Sequence, residues 1–485
     1  MKNLMANGAI WYNLTMMKLT ERPEKIILDM LEAAGYEGYF AGGCVRDEIM
    51  RETAGIEGRG AVVPDGEGDI DVTTNALPDE VKDVFNGWKT VDTGIAHGTV
   101  TVIMPFSGSR VEITTYRRDG GYSDSRHPDS VDFISSLRED LKRRDFTMNA
   151  MAMDARGRIV DPFGGREDLT GGIIRAVGDP EERFSEDGLR IARAVRFAAA
   201  FGFDMEPLTR RAAFEKSVLL ENISAERLLR EFMKTLKGSC AGQAVRRYVD
   251  ILRVFIPELG AMKGFSQKNP YHRYDVLEHC IRTMEAVVTT KKNTGYMRMA
   301  ALFHDMGKPA TCTEDMSGMR HFRGHGQAGA VMADKMLRRL RADGSMRKRV
   351  VTIIGSHGVR FERDRAVLKR LMERFTPEVT FEILELKKAD NLATGNMSGE
   401  LMKKFLDAGM IMEDIIARGE CFTLRDMAVG GEDIISAGIE KGPRVGMILR
   451  ELLRQVIDGD VPNEKGPLME AALKLGKKDD IIYRS

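Results

Sequence analysis

The chain has 485 residues, 30% charged and 43% hydrophobic, with Lys plus Arg equal in number to Asp plus Glu. That length calls for about three domains or more, and the zero net charge excludes a global field for nucleic acid, so any RNA contact has to be local. No apolar run approaches a membrane span. Five scattered cysteines without a CxxC pair point to free thiols in a reducing cytoplasm.

Residues 1–20 read as an N-terminal extension. They are uncharged from Asn3 to Met17, but Asn, Tyr and Thr interrupt them and no cleavage site follows, which argues against a secretory signal. Ile26, Ile27, Met30, Leu31 and Ala34 recur at helical spacing over residues 22–35, with Gly35 as the stop. Tyr39, Phe40 and Ala41 read as a short strand running into Gly42 and Gly43. A helix starts over Val45–Met50 with its N-terminus toward the glycines, which suits an anion. Cys44, inside this turn, reads as a small buried residue rather than a nucleophile.

A glycine-rich loop is expected from Ile56 to Gly68, then a strand at Ile70-Asp71-Val72. Asp69 and Asp71 stand at i and i+2, on one face of that strand. Two carboxylates so close are costly unless a cation lies between them, and hard oxygen ligands suit Mg²⁺ with a substrate triphosphate. A helix over Pro78–Phe85 follows, then alternating strands over Thr99–Met104 and Arg110–Tyr116. Glu112 on the second of these is either a third carboxylate of the site or a solvated strand charge. Residues 117–130 read as a loop. Leu137 and Leu141 share a helical face, and Phe146, Met148, Ala150 and Met151 enter a core after Arg144 and Asp145. Asn149, polar in that apolar run, needs partners if buried; a nucleotide sugar or phosphate is one candidate.

Glu186 to Phe203 is predicted as one amphipathic helix on which Arg190, Arg193 and Arg196 form a basic stripe, either solvated or functional. Residues 226–253 carry seven Lys or Arg against three acids, with Arg227 and Arg230 close to one helical turn apart, a local basic surface suited to a phosphate backbone. Six of the eight histidines fall between residues 272 and 357. His279, His304, Asp305, His325, His357 and Asp390 combine imidazoles with carboxylates, a donor set for a divalent transition metal that polarises phosphate and activates water. His272 and His321 fall outside that pattern. From residue 401 the reading is helical, with a polar tail.

GGCVRD, DIDVTT, TGIAHGTVTV, VEITTYRRDGGYSDSRHPDSV, RRDFTMNAMAMD and DPFGGREDL occur in that order. The run resembles the head of the bacterial (class II) CCA-adding tRNA nucleotidyltransferases, of the polymerase-β-like superfamily. The resemblance implies template-independent addition of C, C and A to tRNA from CTP and ATP. Asp69, Asp71 and Glu112 would then be catalytic, with Asp69 and Asp71 holding Mg²⁺. Gly42, Gly43, Arg46, Arg144, Asp145, Asn149, Arg193 and Arg196 would bind nucleotide, and Arg227 and Arg230 tRNA. Glu186, Asp187 and Arg190 match the family's EDxxR motif. Chemistry supports that match: C and A both present an exocyclic amine beside a ring-nitrogen acceptor, which a carboxylate and a guanidinium satisfy together. U and G place a carbonyl where the amine should be, and a site left with unpaired polar groups rejects them.

The order H…HD…H…H…D resembles the HD-domain metal-dependent phosphohydrolases, which follow the neck in some CCA-adding enzymes. The expected architecture is α+β: a mixed-sheet head (21–160), a helical neck (161–255), an HD domain (256–400) and a helical tail (401–485). A poly(A) polymerase, a split CC- or A-adding enzyme, and a signalling HD phosphohydrolase are the rival readings. The segment between Asp47 and Asp69 departs from the family in being longer and glycine-rich.

Overall fold

A computed structural model describes residues 17–57, 70–120, 131–268, 273–395 and 398–482. Asp69, His272, most of the glycine-rich segment and most of the N-terminal extension lie outside the described residues. The chain divides into two compact units, Met1–Gly260 and Ala261–Ser485. The expected head and neck both fall in the first. All five cysteines are free. No helix among the described residues is long and apolar enough to cross a membrane.

The first unit is built on a mixed sheet. Its strands are β1 (Gly38–Ala41), β2 (Ile70–Thr74), β3 (Lys89–Gly94), β4 (Thr99–Ile103), β5 (Arg110–Thr115), β8 (Ala152–Met153) and β9 (Ile159–Val160), in the order β3-β4-β5-β2-β1-β8-β9. Within this sheet, among the described residues, only β2 and β5 run parallel, pairing Asp71 with Glu112. In β5 the alternation is clean: Val111 and Ile113 are fully buried and Glu112 is exposed on the other face. The expected loop at 117–130 starts instead as a ribbon, because β6 (Arg117–Asp119) pairs with β7 (Val131–Phe133); residues 121–130 lie outside the described residues. The helix after the glycine turn runs further than expected, Gly43–Glu57.

The predicted single helix from Glu186 to Phe203 is two. Helix Pro180–Glu186 ends at Asp187, which has an extended backbone, and helix Leu189–Phe201 begins two residues later. Asp187 caps the new helix: its side chain accepts from the Leu189 N–H at 3.0 Å and its carbonyl from the Arg190 N–H at 3.0 Å. Gly188 sits against the 3₁₀ turn Ser217–Asn222; a Cβ there would lie 2.9 Å from Leu219 Cβ and 3.2 Å from its carbonyl oxygen. Gly188→Ala is therefore expected to cost about 1–3 kcal/mol through overpacking, read as a lower midpoint in thermal unfolding. Helix Leu189–Phe201 buries Ile191, Ala194, Val195 and Ala198 against helices Ala225–Lys237 and Ala241–Leu252.

The second unit is almost entirely helical. Helices Val276–Ala286, Thr294–Phe303, His325–Arg339, Gly344–Ser356 and Pro377–Ala393 surround the histidine cluster. Four later helices, from Gly399–Ala417 to Lys465–Ile482, follow, and the last three carry a small core of their own around Ile434, Ile448, Leu452 and Leu468.

Candidate active sites

The first site is a cleft of about 410 Å³ in the first unit, walled by the glycine turn, β2, the 143–149 segment and the start of helix Leu189–Phe201. Gly42 adopts φ +76°, a left-handed conformation that favours glycine. A Cβ there would meet Arg144 Nη1 at 2.6 Å and Asp71 Oδ2 at 3.7 Å. The turn thus brings a carboxylate and a guanidinium to one point of the wall. Arg144 is also anchored 3.8 Å from the fully buried Asp140, which takes a hydrogen bond from Thr73 on β2. Cys44 donates to the Ala41 carbonyl, and burial pushes its thiol up to about 12, which leaves it no nucleophile.

A polar chain, buried at Asn149 and Asp145, crosses the cleft floor. Arg46 donates to Asn149 Oδ1 at 2.8 Å, Asn149 Nδ2 donates to Asp145 Oδ1 at 3.0 Å, and Asp145 Oδ2 accepts from Arg193 at 2.6–2.7 Å. The partners Asn149 needs are therefore protein side chains, although it also lines the cleft. Burial acts to raise the Asp145 carboxyl, but Arg193 and the Asn149 amide outweigh it and hold it below the usual carboxylate range. The stability this contributes is complete above about pH 4, the unfolded value, and fades as pH falls toward the depressed folded one.

Arg190 is buried and fixed by Glu186 Oε2 at 2.5 Å and by the carbonyls of Arg183 and Arg143 at 2.9 and 3.1 Å. Asp187 faces the same cleft, with Arg227 Nη2 3.4 Å from its Oδ2. The three arginines expected to form one stripe have separate surroundings. Arg190 and Arg193 line the cleft, whereas Arg196 pairs with the buried Glu231 at 3.2 Å and lies over the Phe197 ring. Arg227 is inside the cleft wall, and Arg230 is exposed on helix Ala225–Lys237. Phe197 is a wall residue the sequence reading passed over. Arg46, Arg193 and Arg196 all lie within 5.6 Å of its ring centroid, and its position one turn beyond Arg193 was the available signal.

Oxygen ligands are what Mg²⁺ requires, and Asp71 supplies one at the glycine turn, with Glu112 beside it across the parallel pair. The donors fit the ion.

The second site lies wholly in the second unit. Asp305 is its centre: Oδ2 lies 3.5 Å from His279 Nε2 and 3.3 Å from His304 Nε2, while Oδ1 lies 3.2 Å from His325 Nε2 and 3.7 Å from His357 Nε2. Asp390 Oδ1 is 3.0 Å from His279 Nε2 and 3.8 Å from His304 Nε2. All six expected residues therefore meet. Two groupings, His279-His304-Asp305 and Asp305-His325-His357, are each close enough for one ion. The Nδ1 atoms of His304, His325 and His357 face the carbonyls of Ala301, Phe322 and Ile354 at 2.6–2.8 Å, which leaves each Nε2 for the centre. Burial, with His304 nearby, pushes His357 down to about 4, so it is neutral and fit to ligate. The nitrogen and oxygen donors suit a divalent transition metal. His321 is apart, paired with Asp315 on the surface at 2.7 Å. Lys308 was missed from sequence: buried, it sits 2.6 Å from Asp305 Oδ2 and donates to Gln267 at 2.7 Å.

Three stretches of the chain match known families. Residues 38–175 match the Poly A polymerase head domain, 202–262 a probable RNA and SrmB-binding site of polymerase A, and 276–395 the HD domain. The CCA-adding enzyme of Lactobacillus delbrueckii subsp. bulgaricus is 32% identical over 447 residues, 92% of this chain and 95% of that one. That of Lactobacillus helveticus is 45% identical over 261 residues, 53% of this chain and 61% of the relative. The crystal structure of the Bacillus stearothermophilus CCA-adding enzyme in complex with CTP superposes with a TM-score of 0.65 at 30% identity, covering 96% of this chain and all of that one. The Thermotoga maritima enzyme complexed with tRNA_CCA shares the fold, with a TM-score of 0.56 at 21% identity, covering 96% of this chain and 98% of that one. Because a relative near one-third identity aligns over more than nine-tenths of both chains, the chain belongs to the CCA-adding enzymes, tRNA nucleotidyltransferases.

Proposed function

We propose that the protein adds C, C and A to the 3′ end of tRNA from CTP and ATP without a template. The observation that carries this is the single cleft in which Gly42, Asp71, Arg144, Asp187 and Arg190 converge. The tRNA 3′ oxygen bonds to the α-phosphorus as the bond to pyrophosphate breaks. Asp71, with Asp69 and Glu112, would hold Mg²⁺, which would supply Lewis acidity toward the attacking hydroxyl and the leaving group. Arg144 and the backbone of Gly42 and Gly43 take the triphosphate, and positioning with charge stabilisation supplies most of the rate. The exposed Arg230 and the basic surface of 226–253 offer charge to the tRNA backbone.

Base choice falls to Asp187, accepting from the exocyclic amine, and Arg190, donating to the neighbouring ring nitrogen. Asp187→Ala is expected to lose discrimination against UTP and GTP, measured as the ratio of kcat/KM values; unchanged selectivity would sink the assignment. The function itself is tested by incubating tRNA lacking its end with labelled CTP and ATP, separately and together. Addition of C, C and A followed by arrest supports it. Long A tails would favour a poly(A) polymerase, and addition limited to C, C or to A alone a split enzyme.

The histidine cluster favours a second activity, phosphoester hydrolysis. The six convergent donors support a bound divalent metal, which would polarise a phosphate and activate water.

A further inference from the structure

Helix Pro377–Ala393 reaches the histidine cluster through two residues, by different routes. Asp390 offers its carboxylate directly, on the side of His279 and His304. Lys387 stands one turn earlier on the same helix and serves the other side: its ammonium donates to the backbone carbonyl of His357 at 2.8 Å. His357 is the C-cap of helix Gly344–Ser356, where the carbonyls have no partner within the helix. A cation suits that end, because the helix dipole concentrates negative charge there. Among the described residues, this carbonyl is the hydrogen-bond partner of the half-buried Lys387 ammonium. The buried Phe405 ring, 5.9 Å away, presents a further surface that favours a cation. Lys388, the next residue, is instead paired with Glu385.

Two bonds therefore set His357. Its Nδ1 faces the Ile354 carbonyl at 2.6 Å, which turns Nε2 to the centre, and Lys387 holds the backbone from which the ring springs. We propose that Lys387 is a positioning residue of the second centre. It clamps the end of helix Gly344–Ser356 to the helix that carries Asp390, and so fixes the spacing of donors on the two sides of Asp305. The inference rests on reading the histidine cluster as a metal centre and is independent of what that centre hydrolyses. Partners that orient metal ligands without touching the ion are worth about 10–100-fold in metal affinity.

The test titrates Co²⁺, whose visible spectrum reports coordination, into the metal-free full-length protein and follows binding by calorimetry. Lys387→Met is expected to weaken Co²⁺ binding by about 10–100-fold and to change the visible bands, while the thermal midpoint of the metal-free protein stays close to that of wild type. Lys387→Arg keeps a donor and a charge and should restore most of the affinity. Lys388→Met, on the same helix, should leave affinity and spectrum unchanged, which separates the clamp from a general effect on that helix. Unchanged affinity and spectrum in Lys387→Met overturn the proposal. A lower midpoint with affinity kept makes the lysine a helix cap alone and overturns it equally. Should Lys387→Met not fold, Lys387→Gln, polar but too short to reach the carbonyl, is read by the same criteria. Failure of wild type to bind Co²⁺ strikes down the metal-centre reading itself, a result distinct from wild type and variant binding alike.

Discussion

Asp71→Ala should abolish nucleotide addition, lowering single-turnover incorporation of CTP by on the order of 10³-fold or more, while leaving phosphoester hydrolysis untouched. Asp71 sits on a central strand, paired to β1 on one side and β5 on the other, so the backbone around it is fixed by neighbours that the substitution does not change. What is lost is a charge at the glycine turn, beside Arg144. Asp71→Asn keeps the shape and removes the charge, and it should be equally inactive. A variant of either kind that folds with the wild-type melting profile and keeps its rate within about tenfold would overturn the assignment of the site.

Asp305→Asn should do the reverse. Each carboxylate oxygen of Asp305 faces a different pair of imidazoles, and Lys308 leans on one of them. A carboxamide offers one acceptor and one donor, so it cannot serve both pairs. Loss of bound metal and of hydrolysis by about 10³-fold or more is expected, with tRNA end addition retained. The change also leaves the buried Lys308 without its anion. Breaking a buried pair in this way costs about 3–5 kcal/mol, so thermal unfolding should show an earlier transition. Full metal content in the variant would refute the central place given to this carboxylate.

Much of this was legible in the residues because the chemistry is written in short strings. The glycine pair, the acidic strand and the scarce, clustered histidines each announce a local geometry. The structure brings His279, His304, Asp305, His325, His357 and Asp390 together as their order suggested. Other features escaped for physical reasons. The strand Lys89–Gly94 lies at the sheet edge, and its sequence KTVDTG lacks the alternation that marks a half-buried strand. The break at Asp187 was hidden because the flanking residues keep helical spacing, and the close approach of Leu219 to Gly188 joins residues far apart in the chain. The arginines at 190, 193 and 196 share a spacing but not a fate, since Glu186, Asp145 and Glu231 each claim one. Pairing of that kind is a tertiary decision, and periodicity is blind to it.

The run of contacts from Arg46 through Asn149 and Asp145 to Arg193 bolts the helix behind the glycine turn to the neck helix. The two walls of the cleft are thereby tied to each other through side chains alone. Arg227 stands apart from that tie, held on Asp187 by one long contact and otherwise carrying a buried nitrogen without a hydrogen bond.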